Sequence, residues 1–245
     1  MTRTYYIGAS GWHYDHWQGR FYPEDLPRSD WLSFYSRQFS TVELNASFYR
    51  LPTENAFMKW YRASPAEFLF AVKVSRFITH IKQLKDAEEP LKTFLARTAL
   101  LKEKLGPLLY QLPPGLHRDD ERLESFLNIL PGNLQHAFEF RHESWLDEAV
   151  FELLRRYHAG LCIFDMPSLT CPPVATADFA YVRFHGSQGL YSSCYSDEEL
   201  AGWASRIAGL PEHVRTVYIY FNNDAQGYAL KNAQTLRGYL QQEKR

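Results

Sequence analysis

The sequence predicts an α/β fold, a TIM-type (β/α)8 barrel of somewhat irregular build, as a single domain over residues 1–245. Three observations predict it. Eight short strand-like segments alternate with helical patterns along the chain. The length of 245 residues suits one such barrel. Long irregular segments follow strands three, six and seven, and a barrel puts all of these on its C-terminal face, where active sites are built. An open doubly wound sheet is the competing arrangement. It lacks its dinucleotide fingerprint here, because Gly8 and Gly11 have no third glycine at the required spacing.

The elements follow in order. Residues 5–11 form strand one, and an aromatic stretch with Trp12, His13, Tyr14 and Trp17 comes after it. Ser29 and Asp30 offer caps for a helix over 31–39. In strand two, 41–48, Val42, Leu44 and Ala46 alternate with Glu43, Asn45 and Ser47. Large residues, Phe48, Tyr49 and Arg50, then lead to Pro52, which stops the pattern. Helix 54–63 starts after Pro52-Thr53. Strand three, 69–75, is followed by the long segment 76–89 and a helix over 91–104, with Pro90 suited to its first turn. Strand four is 107–112, ending in Gln111 and a Pro-Pro-Gly turn before helix 119–129. Strand five is 136–142 and helix 147–157 follows. Strand six is 159–166, and the segment 167–178 after it holds no clear helix. Strand seven is 179–186, then come the segment 187–196 and helix 197–208. Strand eight, 215–222, and helix 229–241 complete the series.

Composition narrows the class. Hydrophobic content of 45% with 22% charged residues fits a soluble globular chain. The net charge of −1 gives no whole-molecule attraction for nucleic acid or anionic membrane, so nucleic acid as a partner is open but unsupported. No apolar run is long enough to span a bilayer. Cys162, Cys171 and Cys194 are odd in number and lack metal-ligand spacing, which argues for a reduced, cytoplasmic setting. Residues 5–7 enter a strand with no basic-then-apolar leader before them. The oligomeric state is not readable.

Polar residues stand where a barrel should be greasy. Branched aliphatics dominate most barrel interiors. Here Phe138 and Phe140 alternate with Glu139 and Arg141, Val182 and Phe184 with Arg183 and His185, and Val72 and Val74 with Lys73 and Ser75. Strand two adds Glu43 and Asn45, strand four Gln111, strand eight Asn222. The bulky face belongs against the outer helices, so the polar face points inward. Burying one unpaired ion costs several kcal/mol. Lys73, Arg141 and Arg183 therefore need partners, which Glu43, Glu139 and Asp165 can supply. A buried ion-pair network with no ligand is one reading. A ligand site at the barrel mouth is the other, since the charges fall late in their strands. Trp12, Tyr14 and Trp17 can wall that pocket, or form an aromatic lid on the rim.

The stretches GASGWHYDHWQGRFYP (8–23), ELNASFYRLP (43–52), FAVKVSRFITH (70–80), QLPP (111–114), EFRHESW (139–145), RFHG (183–186) and YFNND (220–224) resemble the DUF72, or YecE-like, family. They run from end to end in family order. The resemblance implies a TIM-type barrel, and little about activity, since the family carries a "domain of unknown function" name.

Three functions stay open. The leading one is an enzyme acting on a small phosphorylated or carboxylated substrate. Lys73, Arg141 and Arg183 hold the anion, Glu43, Glu139 and His185 carry protons, and Trp12, Tyr14, Trp17, Asn45, Tyr49, Gln111 and Asn222 line the ligand. No cofactor is required, although a divalent metal on Glu43, Glu139, Asp165 and His185 would give a phosphodiesterase-like hydrolase. A non-catalytic module binding a small ligand or a partner is the last.

Overall fold

The computed structural model describes residues 3–242. All eight expected strands form: β1 Thr4–Ala9, β2 Thr41–Leu44, β3 Leu69–Lys73, β4 Leu105–Gln111, β5 His136–Glu139, β6 Gly160–Asp165, β7 Phe179–Phe184 and β8 Thr216–Phe221. They pair in parallel in the order β1-β8-β7-β6-β5-β4-β3-β2. Eight helices alternate with them: α1 Trp31–Gln38, α2 Ala46–Tyr49, α3 Glu54–Ala63, α4 Glu88–Thr98, α5 Asp120–Asn128, α6 Glu148–Arg156, α7 Asp197–Ala208 and α8 Tyr228–Gln242. This is the TIM-type barrel. Its irregularity is real: two helices, α2 and α3, follow β2, and none separates β6 from β7. The segment between those strands is pinned instead by the Thr176 hydroxyl, which accepts from Leu161 N at 2.7 Å and donates to Ala159 O at 2.7 Å.

The seam between β1 and β2 shows how the barrel shuts. One bridge, Ser10 with Glu43, joins the two strands. Below it the backbone groups would lack ladder partners, which is costly in a buried place. Tyr35 of α1 supplies them: its buried hydroxyl accepts from Ala9 N at 2.8 Å and donates to Thr41 O at 3.0 Å. The approach is so close that a Cβ on Gly8 would lie 2.2 Å from Thr41 O, so only glycine fits.

The interior differs from the aliphatic filling expected. Tyr181, Tyr218 and Tyr220 pack with Ala71, Leu109, Ala137, Cys162 and Phe179. Rings from β7 and β8 thus fill space left by small residues on β3, β5 and β6. The hydroxyls find partners: Tyr220 pairs with Thr41 Oγ1 at 2.7 Å and Tyr218 donates to Gln135 at 2.9 Å. The larger apolar cluster lies between the strands and the helices.

Strand ends depart from the alternation. β2 stops at Leu44, and residues 46–49 turn into α2 because Asn45 already has helical dihedrals (φ −98°, ψ −17°). β5 stops at Glu139 and pairs with β6 at two positions only. The segment after β3 is not structureless: Phe77–Ile81 form a π-helical turn, followed by left-handed Gln83, Leu84 and Asp86. The helix expected over 91–104 begins earlier, at Glu88, and breaks at Lys102, whose φ is +50°. Among the described residues no helix is long and apolar enough to cross a membrane.

Candidate functional site at the barrel mouth

Strand parity places the site. Ala71, Leu109, Ala137 and Tyr181 belong to the interior cluster. The residues two further on, Lys73, Gln111, Glu139 and Arg183, therefore point inward one layer higher, at the C-terminal end. Glu43 joins them from the end of β2.

Arg183 is the hub. It is 1% exposed, and its two terminal nitrogens reach two carboxylates: Nη2 donates to Glu43 Oε1 at 2.7 Å and Nη1 to Glu139 Oε2 at 2.6 Å. Glu43 also accepts from Ser10 Oγ at 2.9 Å and from the Tyr181 hydroxyl at 2.7 Å. Glu139 Oε1 accepts from Gln111 Nε2 at 2.9 Å and from Arg141 Nε. Arg141 Nη2 lies 3.0 Å from His185 Nε2, and Nη1 contacts Met166 Sδ at 3.2 Å. Glu43, Glu139 and His185 are 0% exposed.

The electrostatics follow from burial and pairing. Burial alone would raise the Glu43 and Glu139 carboxyls. The guanidiniums overcome it, Arg183 at Glu43 and Arg141 with Arg183 at Glu139, so both acids stay ionised. Burial and the Arg183 charge push His185 down to about 4, so it is neutral at physiological pH. Its Nε2 lies 3.0 Å from Arg141 Nη2 and 3.5 Å from Glu139 Oε1. Its Nδ1 lies 3.3 Å from the Asn222 amide nitrogen.

Around this closed cluster lies a half-exposed layer: Lys73, Asn45, Asn222 and Tyr14, with Tyr49 projecting to solvent at 73% exposure. Among the described residues Lys73 has no carboxylate within 4 Å of its ammonium, which sits 4.1 Å from the Phe48 ring centroid. Burial, followed by the Arg183 charge, pushes Lys73 down to about 8. Among the described residues Asn45 Oδ1 is buried without a hydrogen-bond partner. Tyr14 donates to Ser10 O at 2.5 Å, which brings its ring over the end of β1. His80, from the π-helical turn, stands edge-on to Phe48 at 4.9 Å.

Several expectations are corrected. Asp165 pairs with no cation among the described residues. It shares the parity of Leu161 and Ile163, while Cys162 on the opposite parity is the residue beside Glu139. Trp17 is fully buried and donates its indole N–H to Asp224 at 2.8 Å, so it braces the first loop and cannot contact a ligand. Trp12 packs edge-on against Trp60 of α3. Arg183 spends both terminal nitrogens on carboxylates and is closed off, so it anchors the network and offers no fork to a ligand. Glu43, Glu139 and His185 are likewise covered. A divalent metal does not fit: among the described residues no three His, Cys, Asp or Glu side chains are grouped to hold one, and the two inner carboxylates are taken by guanidiniums.

The sequence reading passed over Ser10 and Tyr181, both donors to Glu43. Tyr181 was signalled by parity, two residues before Arg183 on the same strand face. Phe48 and Met166 fell inside the expected strands 41–48 and 159–166, but the strands end at Leu44 and Asp165, so alternation was no guide to either. The run after β8 has a divided role. Asn222 meets His185, Asn223 donates to Ser193 O at 2.9 Å and so ties down the β7 loop, and Asp224 accepts from His16 and Trp17 in the β1 loop.

A closed parallel barrel with a charged C-terminal mouth defines a TIM-type barrel protein with a candidate ligand site. The family model described as "Protein of unknown function DUF72" matches residues 6–245, and the chain belongs to that family. It is 27% identical to the UPF0759 protein YunF of Bacillus subtilis over 94% of this chain and 93% of the relative. It is 29% identical to the UPF0759 protein YecE of Escherichia coli K12 over 56% of this chain and 48% of that one. The crystal structure of a DUF72 family protein from Thermotoga maritima superposes with a TM-score of 0.89 at 32% identity, covering 98% of this chain and 100% of that one.

Proposed function

We propose that the barrel mouth binds a small phosphorylated or carboxylated molecule and that the protein is an enzyme acting on it. One observation carries the reading. Glu43 and Glu139 are matched by Arg183 and Arg141, so Lys73 is a surplus cation at the edge of the closed cluster. A partly buried charge without a counterion is costly, and an anionic ligand supplies the missing partner. Arg141 retains unspent N–H donors beside it, and Gln111, Asn45 and Asn222 offer neutral hydrogen bonds. Tyr14 and Tyr49 supply apolar walls. Glu43, Glu139 and His185 then act as supports that hold the arginines, and proton transfer falls to Lys73.

A second reading, a non-catalytic small-ligand module, is favoured by the closure of those three acid–base groups. Thermal-shift screening against phosphosugars, nucleotides and carboxylates tests the shared core of both. Saturable stabilisation by at least one class of anion, lost in Lys73→Met, is the expected result. No stabilisation by any anion contradicts it. Turnover of the stabilising ligand then separates enzyme from module.

A further inference from the structure

The amine of Lys73 is set apart from the other site cations by what surrounds it. Arg141 and Arg183 each face a carboxylate, whereas Lys73 faces the Phe48 ring and has no carboxylate within 4 Å among the described residues. After burial, the charges that act on it are Arg183, Glu139, Glu43 and Arg141 in that order, the carboxylates partly offsetting the guanidiniums. Burial against an aromatic ring with a guanidinium as the leading charge is a setting that turns a lysine into a nucleophile. The residue is half-buried at the C-terminal end of β3, at the edge of the buried network.

We propose that Lys73 is a covalent nucleophile which condenses with the carbonyl group of an aldehyde or ketone that also carries a carboxylate or phosphate. The proposal rests on the anion-binding reading above, since the anionic group is what Arg141 and the surrounding amides would hold. In the step, the Nζ lone pair adds to the carbonyl carbon, forming an N–C bond and sending the C=O π electrons to oxygen. The carbinolamine then loses that oxygen as water together with the two protons of the neutral amine, leaving a C=N bond. The burial and charge that push Lys73 down to about 8 leave a useful fraction of neutral amine near neutral pH. Once protonated, the imine carries the same charge as the ammonium, so the Phe48 contact is kept.

The test is reductive trapping on the full chain with cyanoborohydride and three probes: glyoxylate, glycolaldehyde phosphate and uncharged glycolaldehyde. Alkylated lysines are located by peptide mapping. With the two anionic probes Lys73 should be modified about tenfold or more faster than any other lysine, as its larger neutral fraction requires. Uncharged glycolaldehyde should keep only the part of that preference the neutral amine supplies, and so modify Lys73 more slowly than the anionic probes do. Lys73→Arg keeps the charge but removes the nucleophile, so it should lose the fast site and retain stabilisation by sulfate. Should Lys73 be alkylated no faster than surface lysines while sulfate still stabilises the chain, the imine chemistry is overturned and anion binding stands. Failure of both trapping and stabilisation overturns both.

Discussion

The barrel mouth holds two charged layers a few residues apart, and they obey different rules. In the lower layer Glu43, Arg183, Glu139 and His185 are closed off, with Arg141 at the edge, and each carboxylate faces a guanidinium. In the upper layer Lys73, Asn45 and Asn222 are half-buried, and among the described residues Lys73 has no carboxylate within 4 Å and Asn45 Oδ1 has no hydrogen-bond partner. A charge-paired network specifies geometry; an unpaired charge at the solvent edge leaves bonding that a ligand can fill. Charge alone does not distinguish the two. Pairing and exposure do.

Breaking the lower layer should cost the most. Arg183→Met leaves buried Glu43 without its cation and Glu139 with Arg141 alone, and should destabilise the fold by about 3–5 kcal/mol, read by urea denaturation. A loss below about 1 kcal/mol would mean that the network is slack and the contrast between layers false. Acid offers a second route. His185 has a folded value near 4 against an ordinary 6.5, so the unfolded chain binds the proton first. Its contribution is fully present above pH 6.5 and is lost as pH falls through about 4, a change on the order of 3 kcal/mol. His185→Asn should flatten that part of the stability–pH curve.

Tyr181→Phe sharpens the picture with a smaller change. It removes the hydroxyl donating to Glu43 Oε2 and should cost about 1.5–3 kcal/mol, since the acceptor is ionised. The upper layer should respond with the opposite sign. Lys73→Met should raise stability at pH 7, because it deletes a partly buried charge whose depressed folded value marks it as costly in the fold. The sign of its pH dependence is opposite in origin to a salt-bridged lysine. A folded value near 8, below the ordinary 10.5, makes wild-type stability rise from pH 8 to 10.5, and the substitution should abolish that rise.

Much of this was legible in the sequence. The alternation in β2, β5 and β7 identified Glu43, Glu139, Arg183 and His185 as inward-facing, and the structure brings them together. What alternation cannot report is depth. A period of two assigns a face, not the height along the barrel or the cover above it, so Arg183 and Lys73 looked equivalent. Asp165 was drawn in by balancing signs, although its parity with Ile163 already set it on the outer face. The α2 turn was missed because Asn45, Ala46 and Ser47 continue the polar–apolar pattern while the backbone leaves the sheet. Trp17 looked like a ligand wall because composition does not say that Asp224, two hundred residues later, takes its indole N–H.

The claim at the centre is that Lys73, and not the buried ion pairs, makes the mouth an anion site. Isothermal titration of inorganic phosphate into wild-type and Lys73→Met protein at low ionic strength tests it most directly. Saturable binding to the wild type that weakens at least about tenfold in the variant, with both proteins equally folded by circular dichroism, is the predicted result. Equal binding by the two proteins, or none by either, would contradict it.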